Sequence, residues 1–253
     1  MSNSFITNKD KFLSDIINGI LPKTNAVDFL VGYFYYSGYK ELSEQLKDKR
    51  IRILIGLDIE IHITKHICEV ENFRQQLQSR GVLKEEYYAQ FIKAFNDTDF
   101  LDTEEKIGQF KMFYSKILDG SLEIRKTLEP CHSKMYLFAY SDIINEGGEN
   151  PGVLITGSSN LSYQGLKGRL ELNARFNDKI EYDEGKVIFE ELWKDAIVIA
   201  DKDNIDEWNN KVMKHIWFDT LYSPYLMFIR VLIEYFAIPS KENLLTPYDI
   251  TDG

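Results

Sequence analysis

The chain carries the sequence AVDFLVGYFYYSGYKELSEQLKDKRIRILIGL at residues 26–57, and this stretch indicates the fold class. Its first part, Ala26 to Phe34, is a continuous apolar run of strand length, which predicts a strand buried on both faces. A helix is predicted from Ser37 through Leu46, and a second buried strand from Arg50 to Leu57. This β-α-β order requires a crossover connection and parallel pairing of the two strands. The stretch therefore predicts an α/β protein.

The sequence on either side of this unit continues the same pattern. Apolar residues at helical spacing predict a helix within Phe5 to Ile20. Further strands are predicted at residues 121–127, 133–140, 153–156 and 171–176, and further helices within residues 68–113 and near 183–193, 205–215 and 222–236. A turn at residues 146–151 suggests a hairpin. We expect a mixed, largely parallel sheet of about seven strands flanked by helices, with a helical C-terminal segment.

The domain organisation that we expect has three parts. Residues 1–176 would form the catalytic domain, and residues 177–238 a helical extension packed on it. Residues 239–253 are polar and contain Pro239 and Pro247, which is typical of a linker or tail. Such a linker could lead to a further C-terminal domain, whereas a frayed terminus explains it equally well.

Composition restricts the class of protein. The chain has 253 residues, of which 44% are hydrophobic, enough to fill a sizeable core. Its two cysteines, Cys68 and Cys131, provide no disulfide framework, which fits a reducing compartment. No apolar run approaches the roughly 20 residues that span a bilayer, and the N-terminus lacks a signal-peptide pattern. These features predict a cytoplasmic protein that does not enter the membrane.

The net charge of −10 argues against a surface that binds nucleic acid everywhere. The charge is uneven, however. Between Asn160 and Phe176 the basic residues Lys167, Arg169 and Arg175 face a single acidic residue, Glu171. An anionic substrate could therefore be attracted to one cleft and repelled elsewhere.

Four polar residues suggest a site for an anion. His132 and Lys134 occupy alternate positions of a predicted strand, so their side chains should project from one face. Ser158 and Asn160 follow Gly157 at the end of the next predicted strand, where a glycine allows a tight turn. Lys134 supplies positive charge, while a hydroxyl and an amide supply neutral donors, which are the groups that hold a phosphate.

The spacing of these residues resembles that of the phospholipase D superfamily. The pattern there is His-any-Lys, four residues, Asp, then Gly-Ser-any-Asn with an acidic residue eleven positions later. His132, Lys134, Gly157, Ser158, Asn160 and Glu171 match it, whereas Ala139 stands in place of the Asp. In the family that Asp is not the nucleophile, and restriction-enzyme-like members vary at it. The specific resemblance covers Cys131 to Asn173.

The resemblance implies a metal-independent phosphodiesterase without cofactors. His132 would be nucleophile and acid/base, Lys134, Ser158 and Asn160 would bind phosphate, and Glu171 would orient an imidazole. Catalysis needs two imidazoles, and none of His62, His66 or His215 begins a second His-any-Lys. We therefore expect a homodimer with one shared site on its twofold axis.

The substrate class expected from the resemblance is DNA, because single-motif members include nuclease domains attached to restriction enzymes and helicases. The expected function is a DNA endonuclease domain, with a C-terminal helicase or ATPase domain as a possible partner. The main alternative is a catalytically silent module that binds DNA or a partner. A third is phospholipid hydrolysis, although no basic amphipathic helix favours it. Target sequence and strand preference are not indicated by the sequence.

Other conspicuous residues have simpler interpretations. His62, His66 and Cys68 lie close together, but no further ligand follows at convincing spacing, so a solvated helix start is favoured over a metal site. The run Tyr33 to Tyr36 could stack bases, although core packing is the more common role. The acidic helices after Asn177 indicate a solvated face or a partner surface. Core packing is expected of the three tryptophans, Trp193, Trp208 and Trp217.

Overall fold

The computed structural model describes residues 4–59, 80–95, 104–215 and residue 232. The chain divides into two compact units, Met1–Ile216 and Trp217–Gly253. The second unit, apart from residue 232, lies outside the described residues, as do His62, His66, Cys68, Trp217 and the proposed linker. The predicted helix at 222–236 is therefore untested, and the expected division at residues 176 and 238 stays a prediction.

The first unit is built on an eight-stranded mixed sheet with helices on both faces. The strands lie in the order β1-β7-β6-β5-β2-β3-β4-β8. Their bounds are β1 Phe5–Ile6, β2 Thr24–Phe34, β3 Arg50–Ile59, β4 Leu122–Lys126, β5 Met135–Tyr140, β6 Gly152–Gly157, β7 Asn173–Phe176 and β8 Ile197–Ala200. The α-helices are α1 Leu13–Ile20, α2 Tyr36–Leu46, α3 Arg80–Phe95, α4 Glu104–Leu118, α5 Lys179–Asp195 and α6 Ile205–Lys211.

The α/β class and the mixed sheet are confirmed, but the expectation of a largely parallel sheet is wrong. Only the pairs β2–β3 and β3–β4 are parallel, and the other five pairs are antiparallel. The reason lies in the connections. The connections from β5 to β6 and from β6 to β7 span 11 and 15 residues and contain helical segments of only 3 and 5 residues. They reverse the chain direction, whereas parallel pairing needs a crossover connection that usually contains a full α-helix.

The sheet is also wider than the sequence predicts, because two short edge strands carry no periodic signal of their own. β1 has two residues and pairs with β7, within a stretch that we expected to be helical. The helix begins only at Leu13, where the amide donates to the side chain of Asn8. β8 pairs with β4 and lies inside the expected helical extension, so residues 177–215 contribute a strand as well as helices.

The core occupies both faces of the central strand β2, which explains why its sequence is largely apolar. On one face, Leu30 joins Leu137 and Leu154 beneath Phe189 and Trp193 of α5. On the other face, Phe29 packs edge-on against Tyr136 and Phe138, at ring centroid distances of 5.4 and 6.0 Å. Apolar side chains therefore pack against both faces of the sheet. Trp193 and Trp208 are both buried, which confirms their expected core role.

Candidate active site

The strand register brings the predicted site residues to one edge of the sheet. β5 runs antiparallel to β2 and β6, with Met135 opposite Leu30 and Thr156. The start of β5 therefore lies beside the ends of both neighbours. The start of β7 lies at the same edge, because its first residue, Asn173, pairs with Gly157 at the end of β6. Each predicted site residue lies within three residues of one of these strand ends, and these residues are His132, Lys134, Ser158, Asn160 and Glu171. The edge collects side chains that are up to 39 positions apart in the chain.

His132 and Lys134 precede β5 rather than lying within it, because the strand begins at Met135. They still share one side. The ammonium of Lys134 lies 3.1 Å from Nδ1 and 3.0 Å from Nε2 of His132, and it donates to the His132 carbonyl at 2.7 Å. Lys134 is buried, whereas His132 is exposed. The lysine thus forms the base of the site and presents the imidazole to solvent.

The electrostatic environment keeps the imidazole neutral. Partial burial lowers the pKa of His132, and the positive charge of Lys134 lowers it further. A neutral imidazole has a free lone pair, so His132 is in the form that a nucleophile requires. Burial also lowers the pKa of Lys134, while the nearby Glu171 and Cys131 act in the opposite direction. The imidazole of His132 therefore stays neutral to a lower pH than an isolated histidine would.

Asn160 is oriented by the backbone of β2. Its side-chain oxygen Oδ1 accepts a hydrogen bond from the amide of Tyr33 at 3.2 Å. With Oδ1 occupied in this way, the amide nitrogen Nδ2 is the atom that remains to donate to a ligand. The ring of Tyr33 stands edge-on to His132, at a centroid distance of 6.4 Å. Tyr33 is thus a site residue whose role the sequence left open, whereas Tyr36 packs into the core against Phe113.

Ser158 and Glu171 form a pair with each other. The Ser158 hydroxyl donates to Oε2 of Glu171 and accepts the amide of Leu172 at 3.0 Å. In the part of the chain that the structure describes, no hydrogen bond joins the Glu171 carboxylate to His132. The phosphate-binding role of Ser158 and the orienting role of Glu171 therefore stay predictions. Both residues nevertheless lie at the sheet edge that holds His132.

A second layer of hydrogen bonds fixes the loop after β6, and no pattern in the sequence predicted it. The side chain of Asn173 donates to the Ser159 hydroxyl at 2.9 Å and accepts the Ser159 amide at 3.3 Å. The Ser159 hydroxyl donates to the carbonyl of Gly165, which also accepts from Asn8. Tyr136 donates to the Ser159 carbonyl at 2.8 Å. These buried polar groups are satisfied and position the adjacent Ser158 and Asn160.

The departure from the family pattern at Ala139 lies away from the site. Ala139 is in β5, opposite Ala26 and Gly152. It is five strand positions beyond Lys134, which corresponds to roughly 16 Å along an extended chain. Ala139 packs against the hydrophobic core beneath α5. The substitution therefore removes no group from the vicinity of His132.

The described residues contain neither a cluster of metal ligands nor a membrane-spanning helix. Among residues 4–59, 80–95 and 104–215, no three His, Cys, Asp or Glu side chains cluster as a metal site would require. Over the same residues, no helix is both long enough and apolar enough to span a bilayer.

Together the fold and the site define an α/β domain with an imidazole and an ammonium at one sheet edge. The family described as "Cardiolipin synthase, PLD-like domain" matches residues 27–193, about two thirds of the chain. The protein therefore belongs to the PLD-like family, as the motif spacing predicted.

Several solved structures are similar to this chain at low sequence identity. Nuc from Salmonella typhimurium, described as a phospholipase D family member, is 10% identical, with a TM-score of 0.41 over 77% of this chain and 95% of that one. NucT from Helicobacter pylori is 11% identical, with a TM-score of 0.39 over 77% and 97%. Polyphosphate kinase from Porphyromonas gingivalis is 9% identical, with a TM-score of 0.42 over 79% and 26%. No curated protein sequence matches this chain significantly.

Proposed function

We propose that this protein is a metal-independent phosphodiesterase that cleaves DNA through a phosphohistidine intermediate. Membership of the PLD-like family supports the reaction class. The observation that carries the proposal is the contact between the Lys134 ammonium and the ring of His132, whose pKa is lowered. An exposed neutral imidazole next to a buried cation suits nucleophilic attack on an anionic phosphoryl group.

In the first step a ring nitrogen of His132 forms a bond to phosphorus, and the bond from phosphorus to the leaving oxygen breaks. A second, protonated imidazole gives its proton to that oxygen. In the second step water attacks the phosphohistidine, the same imidazole takes up a proton from the water, and His132 is released. Lys134 and the amide of Asn160 would stabilise the charge on the phosphoryl oxygens.

DNA is the proposed substrate because the chain has a single His-any-Lys motif, as nuclease-like members do. Of the basic residues near the site, Lys167 is engaged by Glu41 at 2.6 Å and Arg175 bonds Asn177 at 2.8 Å. Arg169 is exposed two residues before Glu171. Arg169 would contact a phosphate next to the scissile one, which suits a polymer more than a small ester. An association with a C-terminal helicase or ATPase domain stays a prediction.

The test of this function is cleavage in the absence of metal. Wild-type protein, incubated at low salt with a mixture of single- and double-stranded DNA in excess EDTA, should produce fragments that gel electrophoresis resolves. Cleavage should be unchanged when Mg²⁺ replaces EDTA, because the imidazole and not a metal-bound hydroxide supplies the nucleophile. Cleavage that depends on added Mg²⁺ would refute the mechanism.

A homodimer with one shared site is the second part of the proposal, because the mechanism needs two imidazoles. Leu170 and Leu172, on either side of Glu171 in sequence, are 77% and 58% exposed. Exposed leucines at the mouth of a site are typical of a surface that another protein covers. A second copy would cover them and bring its own His132 to the site.

Sedimentation should therefore show a dimer at micromolar concentration. Leu172→Asp should shift the protein to monomer and reduce cleavage in parallel, because an unpaired charge would be buried in the interface. Val187→Asp, at an apolar residue of α5 that is 57% exposed, is the matched control and should leave the dimer intact. A wild-type protein that is monomeric while cleaving would exclude a shared site.

A silent DNA- or partner-binding module is the alternative function. The observation that favours it is the hydrogen bond between Ser158 and Glu171, which engages both residues within one chain. Wild-type protein that binds DNA, measured by fluorescence anisotropy, but produces no fragments as a dimer would support this alternative over the enzyme.

A further inference from the structure

Most of the buried glycines in this chain are needed because another backbone segment lies against them. Gly56 of β3 is the clearest example. A Cβ atom there would lie 1.7 Å from the carbonyl oxygen of Cys131, so no side chain fits. The Cys131 amide in turn donates to the Gly56 carbonyl at 3.0 Å. Such glycines are explained by packing alone.

Gly32 of β2 is different. A Cβ atom on Gly32 would meet no backbone within contact distance among its three nearest atoms. Those neighbours are Oδ1 of Asn160 and Cδ2 of His132, both at 3.4 Å, and Nζ of Lys134 at 3.5 Å. These distances correspond to ordinary van der Waals contact, so a methyl group would fit in the free protein. Gly32 also lies outside the left-handed backbone region, which among the described glycines holds only Gly120, Gly147 and Gly148. Neither backbone crowding nor backbone conformation requires a glycine here.

Gly32 is placed between the three functional side chains by an irregularity in β2. The register of β2 against β3 shifts between Val31 and Tyr33, which is the position of Gly32. The shift leaves the Tyr33 amide directed at Asn160 and the Cα of Gly32 beneath His132 and Lys134. Register shifts of this kind often re-aim side chains next to active sites.

We propose that Gly32 is a substrate-binding residue, because the space left by its missing side chain forms part of the volume that receives the phosphoryl group. This inference rests on the proposed function and identifies Gly32 as the residue at the bottom of its anion-binding site. A phosphoryl oxygen bonded to an ammonium lies about 2.8 Å from the nitrogen. A carbon atom 3.5 Å from Nζ of Lys134 on the same side would overlap such an oxygen or displace it.

Gly32→Ala should therefore weaken anion binding and leave folding unaffected. The variant should fold with unchanged thermal stability, since the added methyl makes ordinary contacts. It should bind inorganic phosphate at least about tenfold more weakly than wild type, because overpacking by one carbon in a filled site is costly. Gly108→Ala, at a helical glycine of α4 with no atom within 4 Å of the added carbon, is the matched control.

The experiment is a calorimetric titration of the intact protein with inorganic phosphate. Wild type and Gly108→Ala should bind equally, Lys134→Met should lose binding, and Gly32→Ala should be weakened as stated. Equal affinity in Gly32→Ala and wild type would overturn the inference. So would wild-type binding that survives Lys134→Met, no binding by wild type, or a Gly32→Ala protein that fails to fold.

The result can be separated from the fate of the proposed function. If wild type binds phosphate through Lys134 but never cleaves DNA, the proposed phosphodiesterase is wrong and the role of Gly32 in anion binding stands. If wild type cleaves DNA and Gly32→Ala cleaves it with the same KM and kcat, the proposed function stands and the role of Gly32 is wrong.

Discussion

Replacement of His132 by Ala is expected to reduce DNA cleavage by on the order of 10⁴-fold or more, because it removes both the nucleophile and its acid/base counterpart. In a shared site each protomer supplies one imidazole, so a single substitution in the chain removes two. The fold should be unaffected, since the His132 side chain is exposed and its hydrogen-bond and ring contacts among the described residues are to the neighbouring site residues Lys134 and Tyr33. Initial rates of fragment formation in EDTA measure the effect.

The control is Ser133→Ala, an exposed neighbour on the same segment, which should cleave at the wild-type rate. Mixing His132→Ala with wild type adds a second check, because mixed dimers contain one imidazole and should be inactive. Substantial cleavage by His132→Ala alone would show that another group performs the attack.

The pH dependence of wild-type cleavage follows from the pKa of His132. The folded protein lowers this pKa, so the neutral nucleophile persists below the ordinary histidine value of about 6.5. The acidic limb of the rate profile should therefore lie below that pH. Two imidazoles in one site would titrate as a coupled pair, so the profile would report on the pair. An acidic limb centred above pH 7 would contradict a site that holds the nucleophile neutral.

Replacement of Asp28 by Ala is expected to cost up to about 3–5 kcal/mol of unfolding free energy, because it removes the buried carboxylate that pairs with Arg52 and leaves this cation with Glu190, which is half exposed. Asp28 of β2 is 2% exposed. It accepts hydrogen bonds from Nε and Nη2 of Arg52, at 2.6 and 2.9 Å, and from Lys186 of α5. Arg52 lies over the rings of Phe189 and Trp193, at 4.8 and 5.0 Å. The network attaches α5 to the centre of the sheet.

Urea unfolding of Asp28→Ala and of the control Asp48→Ala measures this effect. Asp48 pairs with Lys49 at 2.8 Å but is 74% exposed, so its loss should cost no more than about 1 kcal/mol. The double variant Asp28→Ala with Arg52→Met should recover part of the loss, because the buried cation that has lost its buried partner is also removed. A loss below 1 kcal/mol in Asp28→Ala would show that the network contributes little.

The same network makes the fold sensitive to acid. Hydrogen bonding to Arg52, with a further contribution from Lys186 and against the effect of burial, lowers the pKa of Glu190 to about 2. Because the folded pKa is below the unfolded one, this contribution is present above about pH 4.3 and is lost as the pH falls toward 2. Glu190 is 47% exposed, so solvent screens much of the interaction.

The sequence could indicate the family because the motif of the family depends on local spacing. His132 and Lys134 are two residues apart, and Ser158 and Asn160 both follow the same strand. The motif of the PLD-like family can therefore be recognised from the sequence without knowledge of any tertiary contact. Long strands such as β2 and β3 can also be predicted from local sequence, because burial on both faces requires a run of mostly apolar residues. The short strands β1 and β8 contain too few residues to show a period.

What the sequence by itself determined is therefore the fold class and the family, and it also predicts which residues are candidates for the site. Tertiary structure alone decided which groups meet: that Tyr33 orients Asn160, that Glu171 pairs with Ser158, and that the floor between His132 and Lys134 is the Cα of Gly32. These contacts join residues on different strands, and they depend on register, direction and one irregularity in β2. A one-residue change of register would turn every side chain of a strand to the other face, and no local pattern encodes that choice between partners far apart in the chain.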